Sequence, residues 1–208
     1  PPTTLTMIDH ETPTPAKTAL CREPTSTHEG GVGNTVRVLK NITGLWLVQE
    51  CRRIWSQSGV EYAGAEFSWE ALNRMSAAAP ALASFIDPDD AAFQAPTDMP
   101  AAIREYCVRT GQQPPTTEGE IVRTAIDSLA LKYRYMLGKL ETLNGGPLET
   151  IHIVGGGAQN RQLCQAAADA CGRRVVAGPV EATAVGNVMM QAIAAGAVTD
   201  IAEARAVV

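Results

Sequence analysis

151-IHIVGGGAQN-160 reads as an apolar strand, a glycine turn and the opening of a helix. The β-branched residues of Thr150–Val154 favour extended backbone. Gly155, Gly156 and Gly157 let main-chain N–H groups approach a ligand with no Cβ in the way. A helix beginning directly after the turn would add unpaired donors and a positive dipole end. Such a turn suits nucleotide phosphates or ribose, and the same pattern also arises as a plain tight turn. Two nucleotide fingerprints fail here. The dinucleotide pattern G-x-G-x-x-G meets Asn160 in place of its third glycine, and Val175-Val176 where an acidic residue belongs. The phosphate-loop pattern G-x-x-x-x-G-K-[ST] is absent. A nicotinamide dehydrogenase is thereby disfavoured, and a mononucleotide site of another kind is preferred.

The pattern C-terminal to this turn alternates. A helix over 159–170 ends at Gly172, and Arg174–Ala177 is a second strand. A helix over 183–195 with Thr183 as its cap follows, and a last helix starts near Asp200. Two strands joined through a helix favour parallel pairing. Upstream, the spacing predicts a long helix opened by a T-x-x-E capping box at Thr117 and Glu120. Ile121, Ala125, Leu129, Tyr133, Leu137 and Leu140 mark its apolar face, and Asn144-Gly145-Gly146 closes it. Helices are predicted over 99–110 and over 68–79, the latter capped by Ser68 and ended by Pro80. FIDPDD, 85–90, reads as an extended piece ending in a turn. A helix is predicted over 34–58, with Asn34 as cap, Leu39, Ile42, Trp46 and Ile54 near helical spacing, and Gly59 as its stop. Residues 13–33 read as loop and 3–8 as a strand. The fold class is therefore α/β, with a helical insertion over 60–115.

Composition narrows the function. The chain has 208 residues, is 45% hydrophobic and 19% charged, and carries a formal net charge of −5. That is an ordinary globular balance. No basic run offers nucleic acid a counterion-displacing face. No stretch reaches the roughly 20 apolar residues that span a bilayer, and the start resembles no signal peptide. The first residue is Pro1, which reads as a fragment or processed chain. The five cysteines, Cys21, Cys51, Cys107, Cys164 and Cys171, form no C-x-x-C pair. Reduced thiols in a cytoplasmic protein are the expectation. Trp46, Trp55 and Trp69 read as packing residues, and His152 as structural rather than a ligand.

Three segments resemble one family in order: 29-EGGVGNTVRVLKNITGLWLVQE-50, 151-IHIVGGGAQN-160 and 176-VAGPVEATAVGN-187. Together they are similar to sugar kinases of the FGGY family, and the long first segment is specific to its rhamnulokinases. The resemblance implies an actin-like ATPase (ribonuclease H-like) lobe. The chain would be a C-terminal kinase domain over 1–208, partial at both ends. In the two-lobed kinase, ATP and a ketose lie between the lobes. A carboxylate base deprotonates the sugar hydroxyl, and Mg²⁺ neutralises the phosphates. For L-rhamnulose the product is the 1-phosphate.

By the same resemblance Asn41 contacts sugar, while Gln49 and Gly156 contact ATP, with Gly155 and Gly157 completing the turn. On one helix Asn41 and Gln49 would lie about 12 Å apart along the axis. Thr4 stands where the family has the threonine of a Gly-Thr-Trp phosphate turn, although this chain reads Thr3-Thr4-Leu5. The family's catalytic aspartate falls before residue 1, and Asp9, Asp87, Asp89 and Asp90 do not match it. A family disulfide on the helix ending at Cys171 would need a cysteine where Ala167 stands. The missing N-terminal lobe is the implied partner. The missing base and altered turn also admit a non-catalytic nucleotide-binding or scaffold remnant.

Overall fold

The computed structural model describes residues 5–12, 26–57 and 67–208. Thr4, Cys21 and Gly59 lie outside them. Three strands open the chain: β1 (Leu5–Thr12), β2 (Ser26–Gly30) and β3 (Val36–Thr43). They form one antiparallel sheet in the order β1-β3-β2. In its register Asn41 faces Met7, and Val38 faces both His10 and His28.

This corrects the expected helix over 34–58. Residues 36–43 are the central strand of the sheet, and α1 (Trp46–Gln57) begins only after the turn at Thr43-Gly44-Leu45. Asn34 does not cap a helix; it sits at φ 65° in the turn between β2 and β3. The cause is pairing. β3 has a hydrogen-bonded neighbour on each side, and Val38, Leu39 and Ile42 are all buried. A strand covered on both faces loses the alternation that identifies a half-buried one. β2 likewise replaces part of the expected loop.

The helical half follows its sequence signals closely. Ser68 caps α2 (Trp69–Ala78) by accepting from Ala71 N. Asp98 caps α3 (Met99–Arg109) in the same way from Ala101 N. α4 (Glu118–Asn144) opens on the expected capping box of Thr117 and Glu120 and ends at left-handed Gly145, φ 73°. A cap of this kind contributes about 1 kcal/mol. α4 is the central helix, with Ile121, Ile126, Leu129 and Met136 fully buried. The core formed around it takes in Leu72, Phe93, Met99, Ile103 and Cys107, so the helices between α1 and α4 share one interior with the rest.

β4 (Thr150–Ile153) and β5 (Arg174–Ala177) then pair in parallel through α5 (Arg161–Cys171), as the pattern predicts. Ile151, Ile153 and Val175 pack onto the core beside Leu163, Ala167 and Cys171 of α5. α6 (Ala182–Ala194) and α7 (Ile201–Val207) close the chain. Glu181 rather than Thr183 stands at the N-cap of α6, without a side-chain hydrogen bond. Among the described residues Cys51, Cys107, Cys164 and Cys171 are free thiols, and burial pushes all four pKa values up. Trp55 is buried and Trp46 packs on the core. Trp69 is exposed beneath the Arg52 guanidinium, 5.1 Å from its ring. His152 is exposed.

Several turn carboxylates sit below their ordinary pKa for local reasons. Thr116 N and Oγ1 and Thr117 N donate to Glu120, Arg173 donates to Glu141, and Ala92 N donates to Asp90. A folded pKa below the unfolded one gives stability that is present above about pH 4 and lost as pH falls through the folded value. Thermal midpoints should therefore drop on acidification below about pH 5. Glu120→Gln should lower the midpoint at pH 7 and flatten that acid slope, as scanning calorimetry across pH would show.

Candidate functional site

The glycine turn lies at the C-terminal end of β4, and the Pro179-Val180 loop lies at the C-terminal end of β5. The two are joined by main-chain bonds. Gly155 N donates to Pro179 O at 3.0 Å, and Gly178 N donates to Ile153 O at 2.8 Å. Ligands of open α/β sheets sit beyond the C-terminal ends of parallel strands. Gly178 is needed for the close approach, since a Cβ there would stand 2.8 Å from Val154 Cγ1.

The three glycines differ. Gly155 has φ +75°, a left-handed conformation that only glycine adopts readily. A Cβ on Gly157 would make an ordinary 3.5 Å contact with Ile153. A Cβ on Gly156 would meet nothing within 4 Å. Neither packing nor backbone strain within the lobe calls for glycine at 156, which is exposed.

The source of helix-end charge differs from expectation. Gly155–Gln159 form a 3-10 turn, so α5 starts at Arg161, not directly after the glycines. Asn160 caps it by accepting from Leu163 N. The chain leading into α6 also approaches the glycines, since Val180 O lies 3.9 Å from the Cβ position of Gly155. With no side-chain cap on α6, its first amides remain available to an anion. Reading the sequence missed this approach to the turn. The run Gly178-Pro179-Val180-Glu181 before an apolar helix was its only trace.

Asn41 and Gln49 lie on separate elements, Asn41 near the end of β3 and Gln49 in the first turn of α1. Both are half-buried. The elbow Thr43-Gly44-Leu45 sets their relation, and α1 is anchored by Leu47, Val48, Cys51 and Trp55 in the core. Thr4 lies outside the described residues. Two surface concavities occur on the helical side, one lined by Arg104, Arg109 and Pro115, the other by Ser84, Pro115 and Asp127. Neither includes Asn41, Gln49 or the glycine turn.

Among the described residues no group of three or more His, Cys, Asp or Glu side chains is arranged to hold a metal ion. Beyond Asp9 of β1, the seven other described aspartates have structural partners. Asp87 and Asp89 pair with Lys132, Asp90 with Arg109 and Asp127 with Arg123. Asp98 and Asp200 cap helices, and Asp169 accepts from Gln165. Among the described residues no helix is long and apolar enough to cross a membrane.

The chain is similar to several known proteins. A rhamnulokinase of Bacteroides thetaiotaomicron is 45% identical over 202 residues, which are 97% of this chain and 40% of that protein. One of Bacillus subtilis is 40% identical over 205 residues, 99% of this chain and 41% of that protein. The chain thus spans about 40% of the length of these relatives. The crystal structure of xylulose kinase from Rhodospirillum rubrum superposes with a TM-score of 0.54 at 20% identity, over 81% of this chain and 32% of that one. That likeness shows the fold, an actin-like α/β lobe. The model of the C-terminal domain of the FGGY family of carbohydrate kinases matches residues 3–195, and the chain belongs to that family.

Proposed function

We propose that this lobe supplies nucleotide and sugar contacts to an ATP-dependent ketose kinase that converts L-rhamnulose to L-rhamnulose 1-phosphate. The observation that carries the reading is the open, exposed Gly156 at the joined ends of two parallel strands, beside the chain leading into the uncapped α6. The main chain of Gly155–Gly157 and the first amides of α6 would hold the nucleotide, with Gln49 of α1 as a further contact and Asn41 on the sugar. Thr4 keeps its place as a phosphate contact by resemblance alone. Mg²⁺ would arrive on the ATP phosphates, as it commonly does. The likeness of the chain to rhamnulokinases supports the choice of sugar.

The partner in this reading is an N-terminal lobe that carries the base and faces this one across a cleft. A site shared between two lobes would put the assigned residues on one wall of that cleft. The described part of the expected insertion over 60–115, residues 67–115, would act as a helical insertion within the domain, and the enzyme would work in the cytoplasm.

The test is Asn41→Ala in the full-length kinase, assayed by coupled phosphotransfer with L-rhamnulose. Leaving a sugar hydroxyl unpaired should raise the sugar KM about tenfold, with the ATP KM held. Equal loss for both substrates, with early melting, would make Asn41 a structural amide. A full-length protein that binds ATP but phosphorylates no ketose would favour the scaffold reading.

A further inference from the structure

The turn 82–90 crosses α4 and is fixed to it by three side chains. Leu82 N donates to Asp127 Oδ2 at 2.7 Å, and Ile86 N donates to buried Ser128 Oγ at 2.9 Å. Lys132 Nζ then lies 2.9 Å from Asp87 Oδ1 and 2.8 Å from Asp89 Oδ2. The Lys132 side chain is only 14% exposed. Burial pushes its ammonium pKa down, but hydrogen bonds to Asp89 and Asp87 outweigh that and leave it raised. The other oxygen of Asp89 leaves this ladder. Asp89 Oδ1 accepts from Thr43 N at 2.9 Å.

Thr43 is the last residue of β3 and the first of the elbow into α1. It lies two residues beyond Asn41, on the same face of the strand and about 7 Å along it. One carboxylate therefore ties the rigid central helix to the corner between the two assigned ligand residues. Asp87 supports it by accepting from Asp89 N at 3.1 Å.

We propose that Asp89, held by Lys132, is a positioning residue that fixes the Thr43-Gly44-Leu45 elbow and so sets the reach of Asn41 toward the sugar. This rests on the sugar role of Asn41 argued above. Asp89 and Thr43 are both partly exposed, so water could replace the lost bond and the fold would survive. Position is more sensitive than stability, because a shift of about 1 Å in a reacting centre costs about a hundredfold in rate. The effect should be selective. α1 keeps its own buried anchors, so Gln49 moves less than the end of β3.

The experiment uses the full-length kinase and four variants. Asp89→Ala should raise the sugar KM about tenfold and leave the ATP KM within about twofold. Asp89→Asn, whose amide oxygen still accepts from Thr43, should recover most of the loss. Lys132→Met, which keeps the acceptor but frees its orientation, should fall between. Asn41→Ala is the control for the functional reading. If it raises the sugar KM while Asp89→Ala does not, the elbow proposal alone is overturned. If Asn41→Ala has no effect, the sugar assignment has failed. Amide exchange at Thr43 then decides the elbow: exchange accelerated by Asp89→Ala supports the tie, and unchanged exchange removes it. Should Asp89→Ala not fold, equal KM changes for both substrates in Asp89→Asn and Lys132→Met would mark a merely structural role.

Discussion

Gly156→Val in the full-length kinase should raise the ATP KM about a hundredfold, with the sugar KM changed far less. The size follows from what the branched side chain does. It stands between the ligand and the main chain, so several close contacts are lost together. The selectivity follows from the fold. The Cβ position is open, and φ at 156 is not in the left-handed region, so the lobe itself should tolerate the change. Its neighbour serves as a contrast. Gly155→Val forces a β-branched residue to φ +75° and should lower the thermal midpoint as well. Calorimetry and steady-state kinetics on both variants separate the two outcomes. A folded Gly156→Val enzyme with an unchanged ATP KM would remove the turn from the nucleotide site.

The sequence reveals most where a chemical group must answer a local need. Thr117 and Glu120 satisfy each other's backbone donors, so their spacing alone places the start of α4. Ser68 and Gly145 act within one turn in the same way. Residues 36–43 defeat such reading because their partners lie elsewhere. Leu39 and Ile42 are three apart, which fits a helix, yet they are buried from opposite faces of a central strand. β2 (Ser26–Gly30) carries no apolar residue to signal it; its hydrogen bonds to β3 define it. The site divides similarly. Gly155–Gly157 are visible as a turn. That they join Pro179 across the strand ends is a tertiary fact, as is the elbow that separates Asn41 from Gln49. The tie from Asp89 to Thr43 spans 46 residues, and no local pattern announces it.

The second large effect concerns this chain by itself, which should show no kinase turnover. The proposed base belongs to the other lobe, and the seven described aspartates with structural partners offer no substitute. Each is committed to a cation, a helix cap or a neighbouring side chain, so recruiting one would break a structural bond. Loss of a general base costs on the order of 10²–10⁴-fold. Loss of the facing lobe removes the positioning of the sugar as well, which multiplies that factor. The same residues should also self-associate. Among the described residues β1 pairs with β3 and β4 with β5, and no described strand joins the two sheets. Among the described residues no strand lies on the outer edges of β1 and β4, which would pair with another chain. α6 has no buried residue, and Val188 and Met190 are 59% and 46% exposed. An apolar helix in that state requires cover. Light scattering should report a mass above 22.0 kDa that rises with concentration, calorimetry with Mg²⁺ and ATP should show weak or no heat, and the coupled assay should stay at background. Sugar-dependent ATP consumption by purified 1–208, abolished by Gly156→Val, would overturn the two-lobe reading, because one lobe would then hold both the base and the cleft.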